Sequence, residues 1–277
     1  MPDIQKLLVI SDLDACFMND DYSYSDALEA VEALKAEGFP LVFNSSKTIP
    51  ELTALIDELQ LDTPLVSENG GIVAVPAQSP LAQLCKSAKD GTWTKHQDYW
   101  TTQTGLDRGI ILQHAHALRS AFDYQFDGFA DWTPTELAAV TGLSKHQAVM
   151  AKDRHVSEPI LWNDTPQHWE DFYQQLEPHG IRALHGGRFI HLMGNADKSD
   201  GLKTVCDLYH MSEPHTLWTC LALGDSPNDL SMLEAADIGV IIPHDKGPRI
   251  PLNAPHIQYA SYPASKGWNQ AVLDILK

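Results

Sequence analysis

The sequence predicts an α/β protein: a doubly wound parallel sheet forms the core, and a second, smaller α/β domain is inserted into it. Three observations point there. Short apolar runs alternate with helical patterns at both ends of the chain. A middle stretch of different character, rich in Trp, His and Gln, separates the two ends. Two of the apolar runs close directly on acidic turns. Strand, helix and strand at this spacing require right-handed crossovers and a sheet covered on both faces.

Leu7–Ser11 has the pattern of a buried parallel strand. A helix follows over Asp26–Glu37, with Leu28, Val31 and Leu34 on one face and Gly38 as its stop. Leu41–Asn44 is the next strand. Thr48-Ile49-Pro50-Glu51 forms a capping box with proline in the first turn, ahead of the stripe Leu52, Leu55, Ile56 and Leu59. Leu65–Ser67 and Ile72–Val75 read as two further strands of the core. The C-terminal zone carries a helix over Ser199–Met211, a strand at Leu217–Leu223, a helix opening at Ser226-Pro227 and a strand at Ile238–Ile242. The His/Pro-rich stretch 243–256 reads as an exposed loop. The core is therefore expected over 1–76 and 194–277, and the insert over 77–193. Within the insert, helices are expected at Asp107–Phe122, Pro134–Thr141, Lys145–Lys152 and Gln167–Glu177. Strands are expected there near Ile160–Trp162, Ile181–His185 and Phe189–Met193.

The chain has 277 residues, with 19 Lys+Arg against 37 Asp+Glu and a formal net charge of −18. Nucleic-acid or anionic-membrane binding as the main task needs a basic surface, so that balance argues against both. Hydrophobic residues make up 43%, enough for a sizeable core. The longest apolar runs are far too short to span a bilayer, and the start has neither a basic n-region nor a long apolar stretch. The reading is a cytoplasmic protein. Cys16, Cys85, Cys206 and Cys220 are too sparse for a disulfide framework and lack zinc spacing. No coiled-coil heptad appears, and the sequence sets no oligomeric state.

The chemistry lies in the two acidic turns, Ser11-Asp12-Leu13-Asp14 and Gly224-Asp225-Ser226-Pro227-Asn228-Asp229. Parallel sheets bind ligands at the carboxyl ends of their strands, so both turns should meet at one edge. A single acid after a strand is commonly just a helix N-cap. A matched pair concentrates carboxylates that repel one another unless a cation sits among them. Oxygen ligands without Cys or His favour Mg²⁺ over zinc. An aspartate can also attack phosphorus to give an aspartyl phosphate, while a second carboxyl two residues on protonates the leaving oxygen and later activates water. Asp12 and Asp14 suit that division. Ser45-Ser46-Lys47-Thr48, closing the second strand, offers hydroxyl, backbone N–H and ammonium donors for phosphoryl oxygens. Lys198 opens the last third at a loop-to-helix start.

The order of these motifs resembles the haloacid dehalogenase superfamily of aspartyl-phosphate phosphohydrolases, with its four signatures at Asp12/Asp14, Ser45, Lys198 and Asp225/Asp229. The long insert resembles the α/β cap of one subgroup. Finer features resemble the mannosyl-3-phosphoglycerate phosphatases: Glu68-Asn69-Gly70-Gly71, Thr141-Gly142-Leu143, Arg154 with Ser157-Glu158-Pro159, and Gly186-Gly187-Arg188-Phe189-Ile190-His191. The resemblance implies Asp12 as nucleophile and Mg²⁺ ligand, and Asp14 as acid/base whose backbone carbonyl also faces the metal. It implies Ser45, Ser46, Lys47 and Lys198 around the phosphoryl group, and Asp225 as a further metal ligand with Asn228 and Asp229 beside it. Arg188 would grip a glycerate carboxylate, a group that a guanidinium binds bidentately; Arg154, Lys152 and His191 are further basic groups of the cap.

The implied partner is a small anionic sugar phosphate, and the implied activity is dephosphorylation of a mannosyl- or glucosyl-3-phosphoglycerate. The alternatives are a phosphatase of another sugar phosphate, such as sucrose 6-phosphate, and a weakly active member that only binds a phosphorylated ligand. The last is suggested by Ala15-Cys16, which stands where the family has Gly-Thr. Glycine there would permit a backbone conformation that alanine resists. A cap over a core implies opening and closing, with hinges expected near 76–80 and 193–197.

Overall fold

A computed structural model describes residues 4–88 and 91–277. Its elements begin with β1 (Ile4–Ser11), α1 (Leu28–Glu37), β2 (Leu41–Phe43), α2 (Ile49–Glu58), β3 (Leu65–Ser67), β4 (Ile72–Pro76), α3 (Ala82–Ser87), β5 (Thr94–His96) and β6 (Tyr99–Gln103). Next come α4 (Arg108–Phe122), β7 (Phe126–Gly128), α5 (Pro134–Thr141), α6 (Lys145–Ala151), β8 (Ser157–Trp162), α7 (Pro166–Leu176), β9 (Arg182–His185) and β10 (Ile190–Met193). The chain closes with α8 (Lys198–Ser212), β11 (Thr216–Gly224), α9 (Leu230–Ala235), β12 (Ile238–Ile241), β13 (Ile257–Tyr259) and α10 (Ala264–Ile275).

The core sheet is parallel throughout, in the order β13-β12-β11-β1-β2. Side chains alternate across a strand, and both faces of this sheet are covered. Leu7 and Val9 point into an apolar layer with α1, α2 and α10, where Trp268 is fully buried. Leu8 and Ile10 point into the opposite layer, with Leu202 and Val205 of α8 and Met232 and Leu233 of α9. β1 and β11 run in register from Ile4↔Thr216 to Ser11↔Leu223. The two acidic turns therefore leave the sheet side by side. All four cysteines are free thiols.

Two expected core strands pack in the core layers but pair differently from its parallel sheet. β3 and β4 pair antiparallel and continue through β6 to β5 in a second sheet, ordered β3-β4-β6-β5. The reason is the link between them: Glu68–Gly71 is a tight turn, and joining parallel neighbours takes a crossover of about a dozen residues or more. β3 bridges the end of β2 in parallel at Asn44↔Val66, and Leu65 and Ala74 lie in one core layer, Val66 and Val73 in the other. The third sheet, β7-β8-β10-β9, is antiparallel and packs Ile160 and Leu192 against Ile111 of α4 and Phe172 of α7. Helices α5 and α6 close a small cluster of their own around Leu137 and Ala148. The chain passes from the second sheet to the third at 104–107 and returns to the core at 194–197. Position 76/77, where the insert was expected to start, thus falls inside the second sheet.

Glycine is needed at Gly70, in the turn between β3 and β4. Its φ is +92°, and a Cβ there would lie 1.8 Å from the Asp197 carbonyl oxygen and 2.9 Å from the Lys198 nitrogen. Backbone would have to move, at the start of α8. Gly70→Ala should therefore lower the unfolding free energy by roughly 2–4 kcal/mol, combining a left-handed conformation with overpacking. Urea unfolding checks this; a midpoint equal to wild type would contradict it.

Candidate active site

Asp12 follows the last residue of β1, and its backbone N–H donates to the Leu223 carbonyl at 2.9 Å. Its side chain makes no capping bond to the turn Leu13–Phe17 that follows, so the ordinary N-cap role does not account for it. It is buried, as are Asp225 and Asp229, and carboxylate oxygens of these three residues lie within 4.8 Å of one another. Lys198, the first residue of α8, sends its buried ammonium between them, 2.5 Å from Asp12 Oδ1 and 2.5 Å from Asp229 Oδ1. Asp197 caps α8 by accepting from the Ser199 N–H. Asn44, at the end of β2, donates its side-chain amide to the Lys198 carbonyl at 2.8 Å. The lysine is thus fixed from both sides.

Asp229 Oδ2 accepts the backbone N–H groups of Asp225 and Ser226, each at 3.0 Å, which folds the second acidic turn back on itself. That fold needs Gly224, since a Cβ there would sit 2.4 Å from Asp229 Cβ. His244 Nε2 lies 2.7 Å from Asp225 Oδ2. Burial, then the charge of Arg249, holds the His244 imidazole below the usual histidine range. Asp225 Oδ1 is buried and faces no hydrogen-bond donor.

Three carboxylates and one ammonium leave the cluster electrically unbalanced. Burial above all, and next the Asp229 charge, push Asp12 well above the ordinary carboxylate range and Asp225 up to about 7. Burial pulls the Lys198 ammonium down, but Asp12 and Asp229 outweigh it and hold it above the ordinary lysine range. An all-oxygen set with excess negative charge and an uncommitted buried oxygen suits a hard divalent cation.

The other expected residues fall into three groups. Asp14 points away from the cluster toward Lys47, whose Nζ lies 3.0 Å from Asp14 Oδ1. Burial lowers the Lys47 ammonium, but Asp14 and Glu51 more than offset this. The Asn44 N–H donates to the Ser11 carbonyl at 2.8 Å, so the turn carrying Ser45 and Ser46 leaves β2 alongside the turn carrying Asp12. Arg188 lies apart, exposed between β9 and β10, donating to the Val140 carbonyl and lying over the Phe189 ring. Arg154, by contrast, is buried and reaches the Ser46 carbonyl with two N–H groups at 3.2 Å. Ala15 does adopt the left-handed backbone expected to suit glycine, with φ 57° and ψ 10°. Cys16 is a buried filler near Ser11, whose hydroxyl accepts from the Trp268 indole at 2.8 Å and donates to the Asp12 carbonyl at 2.6 Å. Sequence reasoning missed Asn44 and His244. Neither carries a pattern that marks it, and His244 lay in the stretch expected to be an exposed loop.

A parallel sheet with an acidic cluster and a buried lysine at its carboxyl edge defines a class of hydrolase. Residues 9–121 and 133–253 match the family described as haloacid dehalogenase-like hydrolase, and the chain belongs to that family. It is similar to the glucosyl-3-phosphoglycerate/mannosyl-3-phosphoglycerate phosphatase of Persephonella marina, at 32% identity over 274 residues, 98% of this chain and 97% of the relative. The enzyme of the same name from Methanococcoides burtonii is 30% identical over 273 residues, 98% of this chain and 97% of the relative. The chain is accordingly an enzyme of phosphatase type. Its fold is shared with a haloacid dehalogenase-like hydrolase from Bacteroides thetaiotaomicron, at a TM-score of 0.65 and 16% identity over 98% of this chain and 99% of that one. The sucrose-phosphatase of Synechocystis shares it too, at 0.58 and 12% identity over 99% and 98% of the two chains.

Two outcomes follow from the electrostatics. A hard divalent cation at about 100 times its dissociation constant should stabilise wild type by about 2.7 kcal/mol, read as a rise in thermal midpoint. Asp225→Asn should lose most of that rise; an equal rise in the variant would contradict the assignment. In the insert, burial, and then the Arg154 charge, lower His191 to about 3. The unfolded chain takes up this proton below about 6.5 while the folded chain stays neutral. The stability that His191 contributes is therefore complete above pH 6.5 and drains away as pH falls toward 3, by about 1.4 kcal/mol per unit. His191→Leu should remove that slope from urea-unfolding data taken between about pH 6.5 and 5. An unchanged slope would contradict a ring that stays neutral in the folded chain.

Proposed function

We propose that the chain is a Mg²⁺-dependent phosphomonoester hydrolase that converts a glucosyl- or mannosyl-3-phosphoglycerate into the glycosylglycerate and inorganic phosphate. One observation carries the reaction type: Asp12 is a buried, uncapped carboxylate held by Lys198 against two further carboxylates. Similarity along nearly the whole chain to two phosphatases of that name supports the substrate class.

In this reading an Asp12 carboxylate oxygen attacks phosphorus, and the bond to the glycerate oxygen breaks. Asp14 gives its proton to that leaving oxygen. The Asp14 carboxylate then takes a proton from water, whose oxygen attacks the phosphorus of the aspartyl phosphate, returning Asp12 and releasing phosphate. Asp14 is ion-paired with Lys47 in this structure. An arriving phosphate dianion competes for Lys47 and frees the Asp14 carboxyl to turn toward the leaving oxygen. Lys198, Ser45 and Ser46 supply donors to the phosphoryl oxygens. Mg²⁺ bound by Asp12, Asp225 and the Asp14 main-chain carbonyl, with Asp229 beside them, would neutralise charge on the phosphoryl group. The sheet β7-β8-β10-β9 with its helices acts as the cap. Arg188 offers its guanidinium to the glycerate carboxylate, which would replace the Val140 carbonyl as acceptor.

Phosphate release from a panel of glucosyl-3-phosphoglycerate, mannosyl-3-phosphoglycerate, sucrose 6-phosphate and glucose 6-phosphate, with and without Mg²⁺, tests this. The two phosphoglycerates should lead and require Mg²⁺, and Asp12→Asn should lose about 10³-fold or more in kcat. Arg188→Ala should raise KM for the phosphoglycerates while leaving sucrose 6-phosphate unaffected. A preference for sucrose 6-phosphate would overturn the substrate assignment. No turnover above Asp12→Asn would overturn the reaction.

A further inference from the structure

We infer that Arg154 is a positioning residue: it reaches out of the inserted domain, grips the Ser46 carbonyl and so sets the direction of the donors in the turn Ser45–Thr48. This rests on the reading of that turn as the phosphoryl-binding one.

Three successive carbonyls of the turn are anchored from outside it. Ser45 O accepts the Asn69 N–H at 2.9 Å, and Lys47 O accepts the Glu68 N–H at 3.0 Å. Between them, Ser46 O accepts Nη1 and Nη2 of Arg154, each at 3.2 Å. In a trans peptide the C=O and N–H point in opposite directions. Fixing Ser46 O toward Arg154 therefore turns the Lys47 N–H the other way, where it lies 3.3 Å from Ser45 Oγ. A hydroxyl and an amide are thereby held together on the side of the turn facing away from the insert.

Arg154 is itself held. Its Nε donates to the Ala151 carbonyl at 3.1 Å, its Nη1 to Ser157 Oγ at 2.9 Å, and its guanidinium lies over the Phe129 ring. Ser157 Oγ donates in turn to the Glu68 carboxylate at 2.5 Å, which also accepts the N–H groups of His155 at 2.8 Å and Val156 at 3.1 Å. The path Ser46–Arg154–Ser157–Glu68 returns to Lys47 through the Glu68 N–H, closing a ring around the turn. Arg154, Ser157 and Glu68 are all buried. Buried opposite charges joined through a hydroxyl are tolerable only when their donors and acceptors are used, as they are here. Glu68 and Asn69 adopt left-handed backbone, with φ of 49° and 57°. Strain of this kind persists where the surroundings over-determine the turn, and it clusters at working sites. A further bond, Thr48 Oγ1 to the Met150 carbonyl at 2.9 Å, joins the same two segments. Moving the insert away would break Arg154 from Ser46, so the phosphoryl-binding turn is complete only while the two are in contact.

The test uses the full chain with Mg²⁺ and inorganic phosphate as a competitive inhibitor, alongside kcat and KM for mannosyl-3-phosphoglycerate and a thermal midpoint. Arg154→Met should weaken phosphate inhibition at least tenfold. Arg154→Lys should recover part of that loss, because one ammonium can replace one prong of the fork but not both. Ser45→Ala combined with Arg154→Met should bind phosphate within about twofold of Ser45→Ala alone, because residues acting through one another are not additive. Phosphate inhibition equal to wild type in Arg154→Met, or single losses that multiply in the double variant, would overturn the inference. If Arg154→Met does not fold, Arg154→Lys decides: an intermediate loss supports the inference and wild-type inhibition overturns it. Ser45→Ala separates the two levels. Unchanged phosphate inhibition there removes the phosphoryl-binding reading and this inference with it. A loss there without one at Arg154 removes only the coupling.

Discussion

The contact of the Lys198 ammonium with Asp12 and Asp229 is the interaction on which the rest of the site depends. Two like charges about 4 Å apart in a partly buried setting repel by about 4 kcal/mol, so three carboxylates would not share this space without a cation. The fold delivers the partners from far apart in sequence. The in-register pairing of β1 with β11 sets Asp12 beside Gly224 and Asp225. The start of α8, capped by Asp197, tied to Asn44 and pressed against Gly70, brings in the lysine. Core packing around Trp268, Phe17 and Ser11 then steadies the loop under Asp12.

Taken as a whole, a net charge of −18 is a poor match for an anionic substrate. It argues against large, diffuse anions, which need a broad basic surface. A small anion responds to the charges beside it. Lys198 and Lys47 stand at the carboxyl edge of the sheet, and Arg154 stands behind the Ser46 carbonyl. Part of the acidic excess lies in the buried cluster Asp12, Asp225 and Asp229, an oxygen set suited to a divalent cation.

Much of this was legible in the sequence, and the reasons are physical. An apolar run closing on acids marks a strand end at a ligand edge, which is how Asp12 and Asp225 show themselves. Capping boxes fixed α2 and α5, and amphipathic spacing placed α4 and α7 to within a residue or so. β3 and β4 stand where expected, but their antiparallel pairing went unread because a short apolar run looks the same in either pairing; the length of the Glu68–Gly71 link was the better signal. α10 and β13 went unread, although Trp268 of α10 is the largest fully buried side chain. Asn44 and His244 act through single hydrogen bonds made across the fold, and no spacing rule reports such bonds. Glu68 and Arg154 were visible as motif residues, but their role depends on a meeting between β3 and the insert that only three dimensions show. Ala15 was legible as a departure, and its left-handed backbone shows that the turn keeps its shape without glycine.

The claim that Asp12 is the nucleophile is tested most directly by trapping the covalent intermediate. Wild-type enzyme would be mixed with mannosyl-3-phosphoglycerate and Mg²⁺, quenched in acid within one turnover and digested for mass spectrometry. The account predicts one added phosphoryl group on the peptide containing Asp12, at that residue, and none in Asp12→Asn. Turnover of the substrate with that peptide unmodified at every quench time, or a phosphoryl group on another residue, would contradict it.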